Sequence, residues 1–213
     1  MARRVLDLRV VFDHYFPGLL PAPGQIPPDF DREAVRPRLQ RQLELAPDRA
    51  AIVRRFAGVG SDAELATLLG LFTHILGDLW RRGGGAPIGN EDVVYSLGPG
   101  GEDINGAVAR YRTNPEAVRY LTRYYRPIGR LEVPLVSIQN LYDPIVPAAV
   151  MNEYPLMTET SGSGSLFVQR VVPHAGHCAI QPTEIDAGIA ELLRLQSASA
   201  SVQGGAAAVG VVH

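Results

Sequence analysis

The sequence predicts an α/β protein in which a mostly helical amino-terminal part precedes parallel strands that alternate with helices. Three observations carry that expectation. Between residues 32 and 125, apolar residues recur at three- and four-residue spacing and are bracketed by capping residues and prolines. Pro134 to Gln139 and Ser165 to Val172 are apolar runs too short for helices and enriched in β-branched side chains. Each run is followed by a helical pattern, and strands joined by a crossover pair in parallel.

Residues 17 to 30 contain Pro17, Gly18, Pro21, Pro23, Gly24, Pro27 and Pro28. Proline fixes φ and removes an amide donor, so an irregular connection is expected there. Arg32 to Leu45 and Asp48 to Phe56 follow as helical segments, their arginines reading as a solvated face, with an anionic partner as the alternative. Ser61 and Glu64 make a capping box ahead of Leu65, Leu68, Leu69, Phe72, Ile75, Leu76 and Leu79, one continuous apolar face. His74, inside that segment, is expected in the core. Gly83 to Gly85 end the helix, a polar loop runs from Asn90 to Asp103, and weaker helical pattern covers Ile104 to Tyr111. Asn114 then Pro115 cap a helix that reaches about Tyr125.

After Gly129 the character changes. The two short apolar runs read as buried strands, with Ala148 to Thr158 as the crossover helix between them. Thr183 to Leu195 is a closing helix with Ile185, Ile189, Leu192 and Leu193 on one face. Beyond it, alanine, serine and glycine without a period predict disorder. The expected organisation is a helical region over residues 1–128, an α/β portion over 129–196 and a disordered tail over 197–213.

Composition narrows the function classes. The chain has 213 residues, enough for one core-bearing domain or a domain with a small appendage, and 46% hydrophobic against 20% charged residues is the balance of a folded protein. A net charge of −2 offers no basic footprint for a phosphate backbone, so nucleic acid is not expected as a partner. All twenty basic residues are arginine, which removes any lysine nucleophile. Cys178 is the single cysteine, which excludes an intramolecular disulfide and a thiolate cage for zinc. Leu65 to Trp80 is broken by Thr73, His74 and Asp78 and falls short of the about 18 apolar residues a membrane span needs. Asp7, Arg9 and Asp13 interrupt the amino-terminal apolar residues, so no targeting signal is expected, and the compartment stays open.

Two loops carry the candidate chemistry, because each follows a strand at its carboxyl end, where open α/β sheets place their sites. The first runs from Asn140 through Tyr142, Asp143 and Pro144 to Pro147, and the second from Pro173 through His174, Gly176 and His177 to Cys178. A carboxylate beyond one strand and an imidazole beyond the next can meet above the sheet. Asp143 would then fix the tautomer of a histidine acting as general base. His177 and His174 are both candidates for that base, and their three-residue offset lets only one face Asp143. The alternatives are a turn-starting aspartate, a structural histidine, Cys178 as nucleophile, and a zinc site on His174 and His177 that has no evident further ligands.

PLVSIQNLYDPIVP and VVPHAGHCAI resemble the penultimate and last strands of the α/β-hydrolase fold, with an acid loop ending in a Val-Pro turn and a Gly-His that presents the histidine. The resemblance implies Asp143 as triad acid, His177 as base, and TEIDAGIAELLRL as the closing helix. The upstream segments, FDHYFPG and INGAVARYRTNPEAVRYL among them, resemble the helical cap. The fold it implies is a partial α/β-hydrolase fold: a helical cap followed by the last two or three parallel strands with flanking helices.

The nucleophile elbow G-x-S-x-G is missing. None of the nine serines has glycine at both −2 and +2, and Ser161, Ser163 and Ser165 lie in a glycine-serine stretch that reads as flexible. The resemblance therefore implies the carboxyl-terminal portion of a serine esterase-like hydrolase, supplying acid and base but inactive alone. It would act on a small-molecule ester or acyl substrate once completed. No metal or organic cofactor is implied. A non-catalytic binding or assembly module and a truncated gene product are the alternatives, and an unpaired sheet edge predicts self-association.

Overall fold

The computed structural model describes residues 2–98 and 101–208. The chain divides into two compact units between Arg126 and Pro127.

The first unit is helical. Its opening helix, α1 (Ala2–Tyr15), has no counterpart in the sequence reading. Val5, Leu6, Leu8, Val10, Val11 and Phe12 are all buried, so apolar residues surround the helix and no one-sided period marks it. An irregular connection with a short 3₁₀ turn at Pro23–Gln25 leads to α2 (Arg32–Leu45), which Asp31 caps by accepting from the amides of Glu33 and Ala34. Next come α3 (Pro47–Ala57) and α4 (Asp62–Gly83). Ser61 Oγ accepts from Glu64 N at 3.2 Å, while the Glu64 carboxylate reaches back to Gly60 N at 2.8 Å. Asn114 caps α5 (Pro115–Tyr125) through the amides of Glu116 and Ala117.

Helix α4 packs against the other four helices of this unit, burying Leu65, Leu68, Leu69, Phe72 and Leu76. His74 is exposed rather than in the core, because the buried positions of α4 fall on the opposite side. Arg9 of α1 is fully buried instead. Its Nη1 donates to Thr73 Oγ1 at 2.8 Å, and its Nη2 donates to the Asp13 carboxylate and to Pro21 O.

Ile104 to Tyr111 is irregular, not helical. Side chains instead pair backbone groups of this stretch and of the neighbouring loop around Asn90 to Tyr95. Asn90 accepts from Tyr111 N at 2.6 Å and donates to Ala109 O at 2.9 Å, Asn105 bonds both Tyr95 N and Tyr95 O, and Arg110 donates to three carbonyl oxygens.

The second unit holds the sheet. Strands β1 (Leu135–Tyr142) and β2 (Phe167–Ala175) pair in parallel and make up a two-stranded sheet. Between them, the expected single crossover helix is two short ones, α6 (Ala148–Met151) and α7 (Glu153–Thr160). Pro155 explains the break, since its ring conflicts with a helical carbonyl at Met151 and it has no amide to offer. On this face Gln169 Nε2 donates to Gln139 Oε1 at 2.8 Å, and Tyr154 stands edge-on to Phe167. The other face is covered by α8 (Pro182–Ala208), which approaches so closely that a Cβ on Gly188 would lie 2.8 Å from Ile138 Cδ1.

Several expectations change here. The strands are not buried along their length: only Gln139, Asn140 and Val172 are, because each strand has one ladder partner among the described residues and an open outer edge. The contact at Gly188 turns Ile185, Ile189 and Leu193, expected to pack on the sheet, outward, leaving them 46%, 51% and 57% exposed. The expected disordered tail is helical as far as Ala208, and residues 209–213 lie outside those described. Alanine is the best helix former, so a helix already nucleated continues through it. The glycine-serine stretch is also ordered. Ser161 Oγ donates to Gly129 O at 2.7 Å, and buried Ser163 accepts from Leu131 N at 3.0 Å, tying the end of α7 to residues 129–131.

Candidate active site

The site is built where the two strands end. From Leu135 and Phe167 to Asn140 and Val172 the strands pair residue for residue. The next pair is Tyr142 with Ala175, so β2 carries one residue more than β1 in that interval, across Pro173 and His174. Proline has no amide to offer a ladder and is tolerated at such a bulge. Asn140, read from the sequence as the first loop residue, belongs to β1, which ends at Tyr142.

Asp143 begins the first loop. Its Oδ1 accepts from Ile145 N at 2.8 Å and Val146 N at 3.0 Å, which folds the Asp-Pro turn around the carboxylate. The second loop turns sharply at Gly176, with φ of +120°, and at Cys178, a non-glycine residue in the left-handed region with φ of +57°. Gly176 N donates to Tyr142 O at 2.9 Å, and Gly176 O accepts from Asn140 Nδ2 at 2.6 Å.

These turns bring His177 Nδ1 to 2.8 Å from Asp143 Oδ2. The aspartate side chain is 14% exposed and the imidazole 45%. An ionised carboxylate only accepts, so in the neutral ring the proton sits on Nδ1 and the lone pair on Nε2. That is the tautomer a general base requires, and a carboxylate in this position is able to stabilise an imidazolium formed at Nε2.

His174 is directed elsewhere. Its Nε2 lies 2.9 Å from Glu184 Oε1, and Glu184 Oε2 accepts from Gln181 N at 2.8 Å. The Gln181 amide, helped by His174, holds the Glu184 carboxyl below the ordinary carboxylate range. His174 and His177 thus serve different carboxylates, and no group of three or more His, Cys, Asp or Glu side chains suited to a metal occurs among the described residues. Cys178 is exposed, and the hydroxyls of Ser161 and Ser163 bond backbone groups of residues 129–131. His14, in the first unit, packs edge-on against Tyr15.

Asn140 stands in the first candidate loop with no role assigned from the sequence, and Glu184, the partner of His174, is not singled out there. Glu184 stands three residues after Gln181, the spacing of a capping residue and its reciprocal carboxylate, which is a legible signal. An asparagine within a strand gives none.

Among the described residues no helix is long and apolar enough to cross a membrane. No protein-family model, curated protein or solved structure matches this chain.

Proposed function

We propose that this chain is the carboxyl-terminal portion of a serine ester hydrolase of the α/β-hydrolase type, supplying the acid and the base of its triad. The observation that carries the reading is the Asp143–His177 hydrogen bond through Nδ1, made by loops at the carboxyl ends of two adjacent parallel strands. His177 Nε2 takes the proton of a serine hydroxyl as it attacks an ester carbonyl, then returns it to the leaving alcohol. It next takes a proton from the water that attacks the resulting acyl-serine, and returns it to the serine oxygen as the acid leaves. Asp143 holds the ring in register throughout. The serine and the oxyanion donors belong, on this reading, to a segment outside this chain, and the acyl substrate is a small molecule.

A serine-directed fluorophosphonate probe tests it. This chain alone is expected to remain unlabelled. A chain extended through the coding sequence immediately upstream is expected to carry a strand followed by G-x-S-x-G and to label, with labelling lost in His177→Ala and Asp143→Ala. Labelling of the present chain by itself, or an upstream sequence with no such elbow, overturns the proposal. A non-catalytic assembly module is the second reading, favoured by the outward apolar row Ile185, Ile189 and Leu193. It predicts no labelling in either chain.

A further inference from the structure

The end of β1 holds consecutive groups of the loop that follows β2. Asn140 Nδ2 donates to Gly176 O at 2.6 Å, Tyr142 O accepts from Gly176 N at 2.9 Å, and Asp143 Oδ2 pairs with His177 Nδ1 at 2.8 Å. Gly176 is therefore pinned at both its polar atoms, immediately before the imidazole. A glycine with φ of +120° has the softest backbone in the loop, so these two bonds determine where the next residue points.

The asparagine makes its bond at a cost. The residue is 5% exposed, and its Oδ1 is buried without a hydrogen-bond partner. Gly176 O is an acceptor, so the amide nitrogen must face it and the oxygen is the atom left over. A leucine, of the same branched outline, would remove that orphan but leave Gly176 O without this donor. What the asparagine supplies in exchange is the hold on Gly176.

We infer that Asn140 is a positioning residue for His177, fixing the imidazole on Asp143 by clamping the Gly176 carbonyl. The inference rests on the reading of Asp143 and His177 as acid and base.

Ring ¹⁵N chemical shifts of the full chain labelled with ¹⁵N-histidine, recorded where the imidazoles are neutral, test it. In the unsubstituted protein His177 Nδ1 is expected to be pyrrole-like, carrying the proton. Asn140→Leu, which needs no partner, and Asn140→Asp, which turns an acceptor toward the Gly176 carbonyl, are both expected to move Nδ1 toward the pyridine-like shift. The Leu variant is expected to fold with a modestly lower melting temperature, because Gly176 O loses its donor, and the His174 ring is expected to keep its shifts. A folded Asn140→Leu protein whose His177 keeps a pyrrole-like Nδ1 overturns the inference. If neither variant folds, the unsubstituted protein decides. Asn140 side-chain amide protons that exchange far more slowly than those of exposed Asn152 support the clamp, and equal rates overturn it. A pyridine-like Nδ1 in the unsubstituted protein is a different result, because it overturns the acid and base reading itself.

Discussion

His174 pairs with Glu184 rather than with Asp143: its Nε2 lies 2.9 Å from Glu184 Oε1. His174 stands at the entry of the loop that carries His177, and Glu184, through Gln181, at its exit. The two residues therefore close the loop from both sides. Glu184 is held below its ordinary pKa of 4.5, chiefly by the Gln181 amide, so its ionised form favours the native state. That contribution is present in full above pH 4.5 and is lost as pH falls through the lower folded value. Thermal melts between pH 6 and 3 are expected to show a loss of melting temperature below pH 4.5 that is smaller in Glu184→Gln. Parallel curves for the two proteins contradict this.

Asp143 uses its two oxygens differently, one on the amides of Ile145 and Val146 and the other on His177. Asp143→Ala removes the carboxylate oxygen that those amides share, and a loss of about 1–3 kcal/mol in urea unfolding is expected. Asp143→Asn keeps one carbonyl oxygen for the turn and is expected to cost less than half as much. Equal losses would show that the turn does not depend on the side-chain oxygen.

Arg9 is buried in the helical unit against Asp13, whose side chain is 28% exposed. Desolvation raises the Asp13 pKa, and the neighbouring guanidinium opposes that rise. Removing one partner of a buried pair strands the other charge, at about 3–5 kcal/mol when both are dry. Partial solvation of Asp13 reduces this, and Asp13→Ala is expected to lose about 2–3 kcal/mol by urea denaturation. Arg9→Met removes the buried charge itself and fills its space, so a smaller loss is expected. The reverse order of the two variants contradicts the account.

Exposed Ile185, Ile189 and Leu193 follow one another at four-residue spacing on α8, and Leu141 and Val171 are exposed on the sheet. Unpaired strand edges and contiguous apolar surface both promote association. Gel filtration over a hundredfold concentration range is expected to show self-association that Ile189→Glu diminishes. A monodisperse monomer throughout is the opposing outcome.

Local chemistry was legible from residue order. Ser61 with Glu64, and Asn114, act on amides two or three residues away, so their helix starts stand where their spacing indicated. The α/β character and the parallel order of the strands followed from short apolar runs alternating with helical ones. The pairing of Asp143 with His177 was also visible as a possibility, because each lies just past a strand.

The choice of partner was settled in three dimensions. The extra residue in β2 and the turn at Gly176 carry His177, and not His174, to Asp143. Helix α1 escaped notice because burial on every side erases the period that one-sided burial creates. The outward row on α8 has the same origin: its apolar spacing marks a helix, yet the close approach of Gly188 to Ile138 decides which side meets the sheet. Capping and turn chemistry act over a few residues and are written in the order of the chain, whereas side-chain direction depends on atoms brought together from distant segments.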